Sequence, residues 1–316
     1  MNISSFALRL CCIGAVLVSP AGCARWLSPD DGVTVVSYNL QNLFDGVSQG
    51  TEYPAFDPET GSYGPEDYHR RLETLGGLLS EAFPVPPSIL VLQEVENRGV
   101  AGDLLDAAGW THAYEHLLFD PAPVGSVGVA VASVLPVVGV RSHRSVYHRR
   151  PDRTILEVRL EAGGAEPGTG DIVLFANHWK SRLPSREETE PRRLLSAAAV
   201  GFRISETHAG LFLVVGDLNT ETPRLPGFAQ PWDTSGYPGS YAYRGDWERL
   251  DHILYRAGET GAPGSPGAYR LDSFDVVAPP EALTAEGYPK RWIPRHGGVS
   301  DHLPVVARFQ PPGAAR

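Results

Sequence analysis

Apolar residues along this chain recur with two different spacings. Tyr68, Leu72, Leu75, Leu79 and Phe83 return every three or four positions, which predicts an amphipathic helix that stops at Pro84. A second helix is expected from about Glu187 to Thr207, with Leu194, Leu195, Ala198 and Phe202 facing inward. Elsewhere the apolar positions form short runs rich in β-branched residues: Thr34 to Tyr38, Ile89 to Leu92, Val127 to Val134, Ile155 to Leu160, Ile172 to Phe175 and Leu211 to Val215. Two more follow near 269–277 and 303–309. Many strands with a few interspersed helices predict an α/β layered sandwich.

The segments between these runs are loops by composition. Residues 45–67 are rich in Gly, Pro and acidic side chains, and 257–268 read as a Gly/Pro/Ala hairpin tip. Residues 221–249 combine Gly, Pro and aromatic residues, the signature of a long ordered loop. No repeat interrupts the body, so 24–316 are expected to form one domain with its core at about 33–309.

The first 23 residues differ from the rest. Arg9 precedes an apolar stretch from Leu10 to Val18, too short for a permanent bilayer span and right for the core of a signal peptide. Ser19-Pro20-Ala21-Gly22-Cys23 then resembles a bacterial lipobox, with Pro20 where leucine is usual. The expectation is an exported protein, acylated on Cys23 and anchored to a bacterial membrane facing the periplasm or cell surface; an ordinary cleaved signal is the alternative.

Composition narrows the chemistry. At 316 residues and 42% hydrophobic the chain can bury a large core. Its formal net charge is −10, and losing residues 1–22 removes only Arg9, leaving 26 − 37 = −11. Such a charge argues against broad coating of nucleic acid, although a local cationic patch or a bound metal can reverse the field in a cleft. All three cysteines, Cys11, Cys12 and Cys23, lie in the leader, so the body has no disulfide, no thiolate zinc site and no cysteine nucleophile.

Six polar clusters abut the apolar runs. They are Asn39 with Gln41 and Asn42; Gln93-Glu94; Asn177-His178 with Lys180; Asp217 with Asn219; Asp251-His252; and Asp301-His302. If the strands end on one side, these tips converge. Carboxylates and amides are hard oxygen ligands suited to Mg²⁺ or Mn²⁺, and with histidines they form the equipment for phosphoester hydrolysis.

At these residues the chain resembles the endonuclease/exonuclease/phosphatase superfamily, the DNase I-like fold. The resemblance is carried in order by Ser37-Tyr38-Asn39-Leu40-Gln41-Asn42-Leu43-Phe44-Asp45, Leu92-Gln93-Glu94-Val95, Asn177-His178-Trp179-Lys180-Ser181, Gly216-Asp217-Leu218-Asn219, Leu250-Asp251-His252 and Ser300-Asp301-His302. It spans about 33–309 and implies a four-layered sandwich of two packed β-sheets flanked by helices, and a Mg²⁺-dependent phosphoester hydrolase. It also implies roles. Glu94 would be the main metal ligand, helped by Asn39; His302 would contact the scissile phosphate, oriented by Asp301, which would also lie near a second metal. Asp217 would align or deprotonate the attacking water, Asn219 would hold the phosphate or that water, His178 would contact phosphate, and Asp251 would orient a histidine or the metal water. Gln41 departs from the pattern, since many relatives carry an acid there, and this implies weaker metal binding.

Simpler readings exist for each residue: Asn39 and Asn219 as turn residues, Asp217 as an Asx turn, Glu94 as solvated surface. His112, His116, His143 and His148 are expected to be surface residues without a role. The densest positive region includes Arg149, Arg150, Arg153, Lys180, Arg182 and Arg186. Arg149 or Arg150, with Lys180, are the candidates to meet a substrate phosphate, while Arg192 and Arg193 are expected to pair with neighbouring glutamates. Trp232, Tyr237, Tyr241, Tyr243 and Trp247 are expected to pack their loop rather than stack on a base. The expected function is a phosphodiesterase acting on nucleic acid, as a monomer. The alternatives are a phosphatase or phospholipid-headgroup hydrolase of inositol-phosphate or sphingomyelin type, and a non-catalytic binding lipoprotein.

Overall fold

In the computed structural model, residues 32–123, 125–162, 170–258 and 269–312 are described. The leader, Cys23 and most of the 257–268 hairpin tip lie outside them. In chain order the elements are β1 (Val33–Leu43), α1 (Pro65–Ala82), β2 (Ile89–Val95), α2 (Arg98–Ala107), β3 (His116–Asp120), β4 (Gly128–Ser133) and β5 (Val137–Tyr147). There follow β6 (Arg150–Leu160), β7 (Ile172–His178), α3 (Arg186–Ser205), β8 (Leu211–Asp217), β9 (Tyr241–Tyr243), β10 (Asp246–Glu248), β11 (Asp251–Ala257), β12 (Arg270–Val276) and β13 (Val305–Gln310).

Two mixed sheets form the centre, one ordered β12-β13-β1-β2-β4-β3 and the other β11-β8-β7-β6-β5. The central strands β1, β2, β7 and β8 are the near-continuous apolar runs, because both their faces are covered. One hydrophobic core joins the inner faces of both sheets to α1 and α2 through residues such as Val36, Leu75, Leu92, Leu174 and Leu213. A second cluster, including Phe175, Val200, Ile204 and Val214, fixes α3 to the outer face of the five-stranded sheet. The result is the helix–sheet–sheet–helix layering expected of a DNase I-like sandwich.

Helix α1 buries the stripe read from its spacing, and Phe83 caps it immediately before Pro84. Helix α3 also spans the expected residues but is rotated from the expected face. Its inward side is Thr189, Arg193, Ser196, Ala197, Val200 and Ile204, whereas Leu195 and Phe202 are exposed. The polar members of that face are satisfied where they lie: Arg193 bonds the carbonyls of Lys180 and Arg186 and the carboxylate of Glu190.

Strand direction sets the site. β1 and β2 run parallel, aligning Asn39 with Gln93, and β7 and β8 run parallel, aligning His178 with Asp217. β11 is antiparallel to β8 and begins opposite its end, placing Asp251 beside Asp217. Gly216 permits the close approach of β7 and β8. Its φ is +133°, and a Cβ there would fall 1.9 Å from the Asn177 carbonyl oxygen.

Candidate active site

The polar strand tips are not simply strand ends; the backbone is deformed to present them. Glu94 has φ +61° and sits in a bulge where the β1–β2 and β2–β4 registers both skip from Gln93 to Val95. A left-handed glutamate is uncommon and costs about 1 kcal/mol or more, which the surrounding bonds must sustain. Its Oε2 accepts the Asn42 N–H at 2.8 Å, and its Oε1 lies 3.5 Å from His178 Nε2. The donor comes from a second strained turn, since Gln41 and Asn42 have φ of +52° and +54°.

That turn is held by a residue the sequence pattern did not single out. Arg71 of α1 is buried, and its guanidinium donates to the carbonyls of Leu40, Gln41 and Asn42 at 2.6, 3.0 and 2.8 Å. It also lies 4.6 Å above the Trp292 ring. Three carbonyls turned toward one point by left-handed backbone need donors, and Arg71 supplies them. In sequence it stands three positions after Tyr68 and four before Leu75, on the apolar stripe of α1, so the signal that could have found it is a charged residue at a core-facing position.

Gln41 explains its own departure from the acidic pattern. Its Nε2 donates to the Trp292 carbonyl at 2.9 Å, and its Oε1 accepts the Trp292 N–H at 2.8 Å. An amide can both give and accept here, which an ionised carboxylate cannot. The side chain is therefore committed to the Trp292 backbone. Gln41→Glu should cost about 1–3 kcal/mol of stability, read by denaturant unfolding, because the Trp292 carbonyl loses its donor. The same variant should gain no Mg²⁺ affinity by calorimetry.

Asp217 is buried within a ring of donors. Oδ1 accepts Asn219 N at 2.9 Å, and Oδ2 accepts Asn39 Nδ2 and Asn219 Nδ2, each at 3.1 Å. Burial dominates nonetheless and, opposed by His302 but aided by Asp251, raises the carboxyl to about 7. Asn219 has φ +51°, a conformation asparagine tolerates, and also donates to the Trp179 carbonyl.

His302 and Asp251 form a buried pair, Nδ1 to Oδ2 at 2.7 Å. The partner of His302 is thus Asp251 from β11, not its sequence neighbour Asp301, which corrects the expected orientation. Ser240 donates to the same Asp251 oxygen at 2.6 Å, and the Tyr241 ring lies 4.8 Å from the His302 ring at 43°. Ser240 was not singled out, and Tyr241 was expected only to pack its loop. Burial by itself depresses the imidazolium, but the carboxylates of Asp251, Asp217 and Asp301 outweigh it and lift His302 to about 10.

His178 behaves in the opposite way. Burial first, then the positive charges of Arg153, His302 and Lys180, push it well below the ordinary imidazole value. Arg153 Nη1 lies 2.5 Å from its Nδ1 and 3.1 Å from its Nε2. One histidine is charged and the other neutral, a division of roles useful for acid–base chemistry.

Because the folded pKa of His302 is raised, its pairing contributes stability fully below about pH 6.5 and loses it as pH rises through about 10. In the chelated protein, NMR should show His302 keeping its proton to about pH 10. Asp251→Asn should lower that value, because the carboxylate that raises it most is removed.

The cations expected to meet phosphate take different places. Lys180 donates to Ser181 Oγ and the Leu183 carbonyl, both at 2.9 Å, and so turns onto its own loop. Arg150 is exposed at the end of the β5–β6 hairpin, and Arg153 instead reaches the site. Arg193 does pair with Glu190, whereas Arg192 forms a two-pronged bond to the buried Asp152. His252 is structural, bonding the Thr220 carbonyl at 2.8 Å, and Asn177 accepts the Trp179 indole N–H. Trp232 packs as expected, donating to the Asp251 carbonyl.

Glu94, Asn39 and Asp301 supply the oxygens that could hold a cation. Burial, then the charge of Asp301, raises the Glu94 carboxyl, so a cation between them would relieve both. No group of three or more His, Cys, Asp and Glu closes into a metal cage among the described residues. That donor set fits Mg²⁺, which takes one or two carboxylates and keeps several waters.

Residues 34–225 match the sequence profile of the Endonuclease/Exonuclease/phosphatase family. A search of curated proteins finds no match. Among solved structures, truncated TDP2 of Caenorhabditis elegans superposes with a TM-score of 0.57 at 17% identity, over 88% of this chain and 97% of that one. A family protein from Bacteroides thetaiotaomicron gives 0.57 at 15% identity, over 88% and 97%. Sphingomyelinase C from Streptomyces griseocarneus gives 0.56 at 18% identity, over 88% and 99%. At these identities the likeness is one of fold.

Proposed function

This chain belongs to the endonuclease/exonuclease/phosphatase family, a family of phosphoester hydrolases, and from that premise we propose that it is a Mg²⁺-dependent phosphodiesterase. The observation that carries the reading is the meeting, at one end of the two sheets, of a charged His302–Asp251 pair, an ionisable Asp217 and a cation-ready Glu94.

In this reading the scissile phosphate lies between His302 and Asp217. Asp217, held by Asn39 and Asn219, orients a water and takes its proton, which requires it to be ionised. His302, kept charged by Asp251, donates to a phosphate oxygen and steadies the charge that builds there. Arg153 adds a second positive group beside His178. A divalent ion held by Glu94, Asn39 and Asp301 would polarise the phosphoryl oxygen and lower the pKa of bound water.

A diester is favoured over a monoester because the fixed donors near His302 are few, whereas a dianionic phosphate calls for more positive charge. The test compares bis(p-nitrophenyl) phosphate with p-nitrophenyl phosphate under Mg²⁺. Faster hydrolysis of the diester is expected. Preference for the monoester would move the assignment to a phosphatase.

A further inference from the structure

The β5–β6 hairpin is longer than the sheet it belongs to. β6 pairs with β7 only from Ile155, opposite Asn177, yet it continues to Arg150, while β5 pairs with it as far as Tyr147. Five residues of β6, 150–154, therefore run past the last β6–β7 pair, about 16 Å of ribbon at the usual strand rise. The overhang lies at the end that carries His178, because Asn177 is the residue opposite Ile155. His148 and Arg149 make the tip, with φ of +48° and +64°, a tight two-residue turn with no apolar group in it.

The charge of this ribbon is opposite to that of the protein. Residues 141–153 contain five arginines and one acid, in a chain of formal charge −10. The acid, Asp152, is taken up by Arg192, and Arg153 is turned to His178. Among the described residues, Arg141, Arg144, Arg149 and Arg150 form no ion pair, and all four are exposed. Arg144 stands opposite Thr154, which borders the small recess shared with Arg153 and His178, so it shares the cleft-side face. Unpaired arginines leading outward from the site form a positive track in an otherwise repelling field.

We propose that this hairpin is a docking surface for the phosphate backbone of a polynucleotide, whose scissile phosphate occupies the site below it. The proposal rests on the phosphodiesterase reading and names its substrate class. A small diester would need Arg153 but could not reach Arg144, Arg149 and Arg150 at once. Duplex DNA carries one charge per about 1.7 Å, so a ribbon of this length spans several phosphates. A lipid surface fits less well, because the turn itself is His148 and Arg149 and the exposed apolar side chain beside it, Val146, is outnumbered by Arg144, Arg149 and Arg150.

The test measures binding of a labelled DNA duplex to the purified protein in EDTA, across a range of salt. The triple variant Arg144→Gln, Arg149→Gln, Arg150→Gln is compared with a charge-matched control at the exposed Arg70, Arg224 and Arg308. The hairpin variant should lower the slope of log affinity against log salt by about 2 to 3, near one per lost phosphate contact, with a smaller change in the control. Its hydrolysis of bis(p-nitrophenyl) phosphate should be unchanged. An unchanged slope, or an equal loss in the control, overturns the proposal. So does hairpin-dependent binding to phosphatidylglycerol vesicles without hairpin-dependent binding to DNA. If DNA binds through the hairpin but wild type cleaves no small diester, the surface stands and the phosphodiesterase reading falls.

Discussion

Replacing His302 by alanine is expected to reduce phosphodiester hydrolysis by about 10³-fold or more while leaving the protein folded. The size follows from what the imidazolium does in the site. It is buried and yet charged, because Asp251 bonds its Nδ1 at 2.7 Å and Ser240 fixes Asp251 in turn. A donor that is preorganised in this way strengthens as charge builds on the phosphate, and its removal falls on kcat more than on KM. About 10³-fold corresponds to roughly 4 kcal/mol of transition-state stabilisation. Asp251→Asn tests the same pair from the other side. It retains a side chain of the same shape but removes the charge that does most to keep His302 protonated, so the rate should fall although the ring stays in place. Rates read alongside circular dichroism separate this from unfolding. A folded His302→Ala variant with wild-type kcat would remove His302 from the chemistry.

The second large effect is expected at Glu94. Glu94→Gln keeps the volume and the acceptor for the Asn42 N–H but removes the charge that would hold a cation. The apparent Mg²⁺ requirement should rise by roughly 10- to 100-fold or more, with partial recovery of rate at high Mg²⁺. The substitution should leave the fold intact and raise its stability in the absence of metal, because a half-buried carboxylate that feels the charge of Asp301 is removed. Calorimetric Mg²⁺ titration and thermal unfolding in EDTA read the two halves of this expectation. An unchanged Mg²⁺ dependence would mean that the cation is held elsewhere.

Much of this site is legible in the sequence because its residues lie at the ends of buried strands. Apolar runs announce the strands, and the polar residue that breaks each run marks its tip: Asn39, Glu94, His178 and Asp217. Parallel pairing of β1 with β2 and of β7 with β8 then brings these tips to one end, as the layered fold requires. Which partner each residue takes is less legible. His302 bonds Asp251, 51 positions away, instead of adjacent Asp301, a partner that the pairing of β11 with β8 and the fold around it bring close and that nearness in sequence does not reveal.

The residues that escaped notice share a physical reason. Arg71 and Arg153 are cations whose partners are, respectively, backbone carbonyls and a histidine ring, and those partners, unlike the charges themselves, are not marked in the sequence. Ser240, just before β9, lies in a segment whose composition announces order but not contact, and Tyr241 was read only as packing that segment. The face of α3 was misjudged because arginine, threonine and serine occupy its inward side, where their bonds to neighbouring backbone and carboxylates replace apolar packing. Gln41 looked like a weakened ligand when judged by position alone; its two bonds to Trp292 show that the side chain serves the turn.

The most direct test of the account is the hydrolysis of bis(p-nitrophenyl) phosphate by the wild-type protein in Mg²⁺, after EDTA, and after Mg²⁺ is restored. The account predicts cleavage that stops on chelation and returns on re-addition. Cleavage that persists in EDTA, or none from a folded protein saturated with Mg²⁺, would contradict it.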